Sequence, residues 1–338
     1  MTVSILRNPA ATPVLDVSDL NVTFRTRGGD VRVVRDLDFL VARGEVFAVI
    51  GESGSGKSTM AQAVMGLLPG QASMTGRIAL AGQPIQDLPP HARRQLCGTR
   101  MGLISQDALA ALNPCTSVGF QIAETLMVHR GISRRDAMER AVDLLAQTGI
   151  PSPEERVHHY PHQFSGGMRQ RALIAIALAL EPDILIADEP TTALDATIKA
   201  QILQLLMRLR SELGMAVLIV THDMGVVARM ADRMLVMYAG RAVETGAVTE
   251  MFDAPAHPYT RALLKAMPRL DCSGQALHAI PGAPPSPQAI PSGCPFHPRC
   301  PLAVERCAID VPQPIVFGDN RTTLCRFSPE EVIYAERA

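Results

Sequence analysis

Apolar and polar positions alternate over residues 14–40 and break at Arg27-Gly28-Gly29-Asp30, which predicts two strands joined by a hairpin turn. A short apolar run at 46–50 predicts a buried strand, and a loop rich in Gly and Ser follows it. Residues 57–68 have helical composition and end near Pro69-Gly70, and 75–80 read as a further strand. From Gln106 to about Gln163 the pattern is helical. Ala141, Val142, Leu144 and Leu145 recur at helical spacing within 137–148, and Pro151-Ser152-Pro153 stops that helix. Strand patterns return at 184–187 and 216–220, with a helical stretch at 197–213 between them. Strands alternating with helices predict an α/β core with a parallel sheet, and the helical block at about 106–165 reads as an inserted subdomain. After Tyr259 the composition shifts. Prolines crowd 281–298, so this end reads as an extended, wrapped appendage rather than a second core. No internal repeat is present, so there is one such core in the chain.

Composition narrows the classes. The chain has 338 residues, of which 47% are hydrophobic and 19% charged, enough for a large buried core and too apolar for wholesale disorder. The net charge is −1, aromatic content is 4% and Trp is absent, so neither a basic footprint nor stacking platforms argue for nucleic acid. The first 13 residues lack a basic region followed by a long apolar run, so no signal peptide is expected. The longest apolar stretch, 172–180, is about half of what a bilayer crossing needs. A soluble protein is expected, one that reaches a membrane only through a partner. Seven cysteines in such a chain point to a reducing compartment rather than to disulfides. Cys97, Cys115 and Cys272 are scattered, whereas Cys294, Cys300, Cys307 and Cys325 crowd the C-terminal end and suggest a metal.

The loop after the 46–50 strand, Gly51-Glu52-Ser53-Gly54-Ser55-Gly56-Lys57-Ser58, fits G-x-x-x-x-G-K-S/T at every fixed position. Its glycines let successive N–H groups face a phosphate beside the positive end of the next helix, which Thr59 continues. Lys57 can reach β- and γ-phosphates, and the Ser58 hydroxyl can ligate Mg²⁺. Further on, Ile184-Leu185-Ile186-Ala187-Asp188-Glu189 is an apolar strand ending in two acids. That placement suits a metal-binding Asp188 and a water-activating Glu189.

Ser165-Gly166-Gly167-Met168-Arg169-Gln170-Arg171, just ahead of that strand, resembles the signature motif of ABC ATPases. Gln106 in Ile104-Ser105-Gln106-Asp107 resembles their Q-loop, Ala193-Leu194-Asp195 their D-loop, and Thr221-His222-Asp223 their H-loop. With the phosphate loop, five motifs stand in family order between residues 51 and 223. The resemblance implies a P-loop NTPase of the ABC type, α/β, with an antiparallel β subdomain, an inserted helical subdomain and a small C-terminal Cys-containing extension. It divides the chain into an ATPase domain at 14–255 and an extension at 256–338.

In that family two subunits face head to tail and sandwich ATP between one phosphate loop and the partner's signature motif. Ser165 and the N–H groups near Gly166 and Gly167 would then donate to a γ-phosphate. By the same resemblance Glu189 polarises the attacking water, and His222 braces that water and the γ-phosphate. Gln106 contacts Mg²⁺ and relays the nucleotide state, and Asp195 belongs to the nucleotide interface. The family often stacks adenine on an aromatic residue of the first hairpin. Phe24 is the nearest candidate, with Thr26 or Val33 as alternatives at that place, and Phe24 fits the core equally well.

Two other clusters carry blander readings. His158, His159 and His162 surround Tyr160-Pro161-His162-Gln163, a stretch the family commonly shows before its signature, rather than a metal site. Arg93, Arg94 and Arg100 are expected on a solvated face.

The C-terminal segment His257-Pro258-Tyr259-Thr260-Arg261-Ala262-Leu263-Leu264 resembles the extension of oligopeptide and dipeptide importer ATPases, as does Pro281-Gly282-Ala283-Pro284-Pro285. Cys294, Cys300, Cys307 and Cys325 could serve a tetrahedral Zn²⁺ or a 4Fe–4S cluster, or remain plain thiols. Some peptide-importer members carry such a cluster, and the resemblance favours it here. The resemblance further implies a heterodimer with a second ATPase subunit, two transmembrane permease subunits and an extracytoplasmic binding protein, at the cytoplasmic face of the inner membrane. A sibling importer of nickel, glutathione or oligosaccharide is one alternative. A soluble ABC ATPase acting on ribosomes or DNA is the other, although such proteins generally carry two nucleotide units or a long coiled coil.

Overall fold

The computed structural model describes residues 12–192, 194–267, 279–318 and 321–334. Ala193 and Cys272 lie outside the described residues. The described residues fall into two units by their internal contacts: one takes those within 12–41, 46–86 and from 220 onward, and the other those within 42–45 and 87–219.

In the first unit the predicted hairpin pairs Leu15–Thr26 with Gly29–Val41, antiparallel, in a four-stranded sheet completed by Ala72–Leu80 and Gln83–Pro84. The turn closes at Arg27-Gly28, where Thr26 Oγ1 donates to the Gly29 carbonyl at 2.7 Å and accepts from the Gly28 N–H at 3.2 Å. Alternation puts Leu15, Val17, Leu20, Val22, Val34, Leu37, Phe39 and Val41 into the core. Each such side chain contributes about 1.5–3 kcal/mol of burial.

A second run of strands in this unit has the order Ile315–Phe317, Arg321–Thr323, Arg241–Ala247, Arg233–Tyr238, Val46–Ile50. Val46–Ile50 is buried throughout and lies parallel to Arg233–Tyr238, which accounts for its unbroken apolar sequence. The helix after the phosphate loop, Lys57–Met65, is shorter than its composition suggests. Gly66 adopts φ 73°, with Gly66 N–H donating to the Ala63 carbonyl and Leu67 N–H to that of Gln62, so a glycine cap ends the helix before Pro69 can.

The C-terminal appendage is more than a wrapping. Arg321–Thr323 pairs antiparallel with Arg241–Ala247, with Glu244 opposite Thr323, and Ile315–Phe317 pairs with Arg321–Thr323 in turn. These strands are only three residues long, too short for a periodic signal to register.

The second unit holds the helical block. Val118–Arg130, Arg134–Gln147 and Gly166–Leu178 bury a shared core that includes Val118, Ile122, Leu126, Ala141, Leu145 and Ala172. Ser117 and Ser133 cap the first two helices by accepting the Phe120 and Asp136 N–H groups. Strands Met101–Ile104 and Ile184–Asp188 run parallel, and Asp188-Glu189 stands at the carboxyl end of the second, where α/β sheets place ligand chemistry. The basic run is not uniformly solvated: Arg94 is exposed, Arg93 is half-buried, and Arg100 Nε donates to Asp183 Oδ2 at 2.7 Å.

Candidate functional site

The phosphate loop begins where the Val46–Ile50 strand ends. At Gly51 a side chain would bring its Cβ within 2.3 Å of the Met237 carbonyl oxygen, and at Gly56, which has φ +101°, within 2.9 Å of the Val33 oxygen. Only glycine lets the loop pass this close to its neighbours. The loop closes on itself. Ser55 N–H donates to the Glu52 carbonyl at 3.2 Å, the Ser55 carbonyl accepts from Gly240 N–H at 3.0 Å, and Gly56 opens the helix. Lys57 Nζ, buried, donates to the carbonyls of Gly51 at 2.8 Å and Glu52 at 2.9 Å, so its ammonium spans the loop it is expected to serve. Ser53 and Gly54 are exposed, and Ser58 and Thr59 half-buried. Ser55 Oγ is buried without a hydrogen-bond partner among the described residues.

Glu52 is held from three directions. Its N–H donates to the Tyr259 hydroxyl at 2.9 Å, its carbonyl takes Lys57, and its carboxylate receives both terminal nitrogens of Arg299 at 2.6 and 2.9 Å. Tyr259 lies against Tyr238 and Phe296, with ring centroids 4.6 and 5.3 Å away. Burial pushes the phenols of Tyr238 and Tyr259 above their ordinary range, so both remain neutral hydroxyls. The hydrogen bonds that Arg299 donates to Glu52 hold its guanidinium charged even more firmly than usual. Glu52 was expected here as a loop residue alone. Two of its partners, Tyr259 and Arg299, come from over two hundred residues away, and no spacing rule links such positions. His222 is exposed in the same unit, ahead of Asp223, which caps Met224–Met230 by accepting from the Gly225 and Val226 N–H groups.

The second unit brings Gln106 and Glu189 together: Gln106 Nε2 donates to Glu189 Oε2 at 3.3 Å. Thr192 Oγ1, not singled out from sequence, donates to the same oxygen at 2.8 Å. Its position three residues beyond Glu189 was the available signal. Glu189 itself sits at φ +49°, a conformation that a non-glycine residue holds at a cost of about 1–3 kcal/mol. Asp188 is half-buried beside it. Ser165 caps the helix Gly166–Leu178 by accepting from Met168 N–H, and Ser165 and Gly166 are exposed, so that helix start presents free donors outward. Asp195 caps Ala196–Leu213 by accepting from Thr197 and Ile198 N–H at 3.0 and 2.9 Å. The two capped helices touch at Gly167, where a Cβ would lie 2.7 Å from Ile198 Cγ2. Phe24 is half-buried within its strand, opposite Val31 and Ala72, with Thr26 exposed and Val33 half-buried nearby.

At the C-terminal end Cys294, Cys300, Cys307 and Cys325 line one cavity of about 20 Å³ together with His257 and Phe296. Burial pushes the Cys300 thiol up to about 11 and that of Cys325 up to about 12, and raises Cys294 in the same direction. As bare groups these are protonated thiols, and a bound metal would reverse that by taking the thiolate. Among the described residues no group of three or more His, Cys, Asp or Glu side chains is arranged to hold a single metal ion, the histidines at 158, 159 and 162 included.

Residues 34–192 match the ABC transporter family, and residues 243–307 match the oligopeptide/dipeptide transporter C-terminal region. The chain is 46% identical over 321 residues to the oligopeptide transport ATP-binding protein OppD of Salmonella typhimurium, covering 95% of each. It is 46% identical over 326 residues to OppD of Escherichia coli, covering 96% of each. A putative peptide import ATP-binding protein of Brucella melitensis is 49% identical over 313 residues, covering 89% of this chain and 93% of the relative. Among solved structures, a dimeric bacterial ABC transporter cassette shows 28% identity at TM-score 0.63, covering 69% of this chain and 98% of that one.

Proposed function

The chain belongs to the ABC transporter ATP-binding proteins, and on that premise we propose how its residues divide the work of a peptide importer. It is the ATP-binding subunit, and ATP with Mg²⁺ is what it turns over. The observation that carries the reading is the phosphate loop, with Lys57 strung across the Gly51 and Glu52 carbonyls and Ser55 Oγ unpaired in its wall. Loop N–H groups and Lys57 bind the β- and γ-phosphates, and Ser58 and Asp188 take Mg²⁺. Glu189, steadied by Thr192 and Gln106, accepts a proton from the attacking water, and His222 orients that water against the γ-phosphate. Ser165, Gly166 and Gly167 face the nucleotide of a second ATPase subunit, with Asp195 at the same interface. That second subunit is a different chain in this reading. Residues 14–255 form the ATPase and 256–338 the extension.

No helix among the described residues is long and apolar enough to cross a membrane. In the reading that the peptide-importer relatives support, the subunit works peripherally, at the cytoplasmic face of the inner membrane, against two permease subunits supplied by an extracytoplasmic binding protein. The relatives' peptide cargo favours peptides over nickel, glutathione or oligosaccharide, and over a ribosome or DNA partner. In a strain lacking this protein, uptake of labelled di- and oligopeptides is expected to fall to background and nickel uptake to stay intact. A nickel defect with intact peptide uptake would move the protein to a sibling importer.

The four thiols fit a soft-metal group in donor type and in facing one cavity. Either a tetrahedral Zn²⁺ or a 4Fe–4S cluster takes four thiolates, and the resemblance to the peptide-importer ATPases is what favours the cluster. Cys294, Cys300, Cys307 and Cys325 would hold it, as a structural brace of the extension. Anaerobically purified protein is expected to show a brown absorbance near roughly 400 nm with iron and sulfide. Colourless, iron-free protein would remove the cluster.

A further inference from the structure

The extension does not stop at its own cavity. Arg299 stands between Cys294 and Cys300 in sequence, yet its side chain leaves the cysteines and ends on the phosphate loop. Its two terminal nitrogens grip Glu52 at 2.6 and 2.9 Å in the fork geometry that arginine alone supplies. Only 5% of the side chain is exposed. Its third nitrogen, Nε, donates to the Pro281 carbonyl at 2.9 Å, and the guanidinium lies 5.8 Å from the Tyr238 ring centre and 6.0 Å from that of Phe296. Nη1 also donates to the Tyr238 hydroxyl at 3.3 Å, so Pro281 and Phe296 of the extension and Tyr238 of the strand Arg233–Tyr238 together set the direction of the side chain, and the charge is delivered to one place.

That place is an awkward one for a carboxylate. The Glu52 carbonyl accepts the lysine that serves the phosphates, so the Glu52 side chain puts a negative charge on a loop built to attract a polyanion. Unpaired, it would repel every phosphate that enters. We infer that Arg299 is a positioning residue of the ATP site: it neutralises Glu52 and, with the Tyr259 hydroxyl on the Glu52 N–H, fixes the loop in its phosphate-ready form. The C-terminal extension is thereby a part of the nucleotide site. This rests on the ATP-binding reading above.

The test is equilibrium binding of MgATP, MgADP and AMP to the full-length chain. Arg299→Gln leaves Glu52 unneutralised and is expected to weaken MgATP by about tenfold and ADP by less, because the repulsion scales with ligand charge. Adding Glu52→Gln to that variant removes the offending charge and is expected to return MgATP affinity to within about threefold of wild type. Glu52→Gln alone leaves the arginine's charge beside the loop and is expected to tighten MgATP about threefold, which keeps the inference testable even where Arg299→Gln folds poorly. Equal losses for all three nucleotides, or no recovery in the double variant, would reduce Arg299 to a packing residue and overturn the inference. So would weaker MgATP binding by Glu52→Gln alone. Wild-type chain that binds MgATP no better than Lys57→Ala would overturn the ATP reading itself, and the inference with it.

Discussion

Replacing Glu189 with Gln is expected to lower ATP hydrolysis by about two to four powers of ten while MgATP still binds within a few-fold of wild type. The geometry explains why the loss should fall on turnover. Glu189 closes the strand Ile184–Asp188 at φ +49°, and Thr192 Oγ1 and Gln106 Nε2 both donate to its Oε2. Those contacts orient the carboxylate without needing its charge, and because both fall on one oxygen a glutamine amide can still accept them through its own. What it cannot do is take a proton from water. Phosphate loop, Lys57 and Ser58 are untouched by the change, so binding persists. Phosphate release by the assembled transporter, beside fluorescent-nucleotide binding to the same preparation, separates the two quantities. Turnover within about threefold of wild type would remove Glu189 from the role of base.

The motifs to which we assign this chemistry were legible because each is local. A glycine loop between a strand and a helix, two acids at a strand tip and a serine ahead of a glycine pair are statements about neighbouring residues. Their backbone physics is the same in any chain. The helical block was legible for the same reason: Ala141, Leu144 and Leu145 recur at the helical period and do share one core. What escaped was whatever depends on chain closure over long separations. Arg299 meets Glu52 across 247 positions and Arg321 meets Glu244 across 77, and neither pair leaves a periodic trace. The strand Arg321–Thr323 is three residues long, too few for an alternation to stand out, so the appendage reads in sequence as an extended, wrapped segment rather than as part of the sheet. The helix at 57 ended early because Gly66 could take a left-handed cap, a choice that composition alone does not force.

The pair between Arg321 and Glu244 leads to the largest expected effect on stability. Glu244 is fully buried and Arg321 nearly so, with Nη2 of the arginine 2.9 Å from Glu244 Oε1 and 2.7 Å from the Ala254 carbonyl. The carboxylate also accepts the Ala256 and His257 N–H groups at 2.9 Å each, so one buried charge organises the strand Arg241–Ala247, the chain start of the helix Pro258–Lys265 and the added strand Arg321–Thr323. Burial already pushes the Glu244 carboxyl up, against the pull of Arg321 and the amides. Arg321→Met would leave that carboxylate buried without its counter-charge, at a cost of about 3–5 kcal/mol. The sign of the pH dependence follows. Without the guanidinium the folded carboxyl titrates still further above its unfolded value of about 4.3, so the folded state binds more protons than the unfolded one. Stability of the variant then falls as pH rises from about 4.3 to the new folded value, and the penalty is smaller at pH 5 than at pH 8. Amide exchange along Arg241–Ala247 and Arg321–Thr323, whose ladder pairs Glu244 with Thr323, reads this local opening directly. Adding Glu244→Gln keeps an acceptor for one of the two amides and removes the charge, and should recover part of the lost protection. Because Cys325 follows the same strand into the cysteine-lined cavity, Arg321→Met should also lower any iron the protein holds. Wild-type protection in Arg321→Met at pH 8 would show that the extension is held to the sheet by its ladder and packing alone.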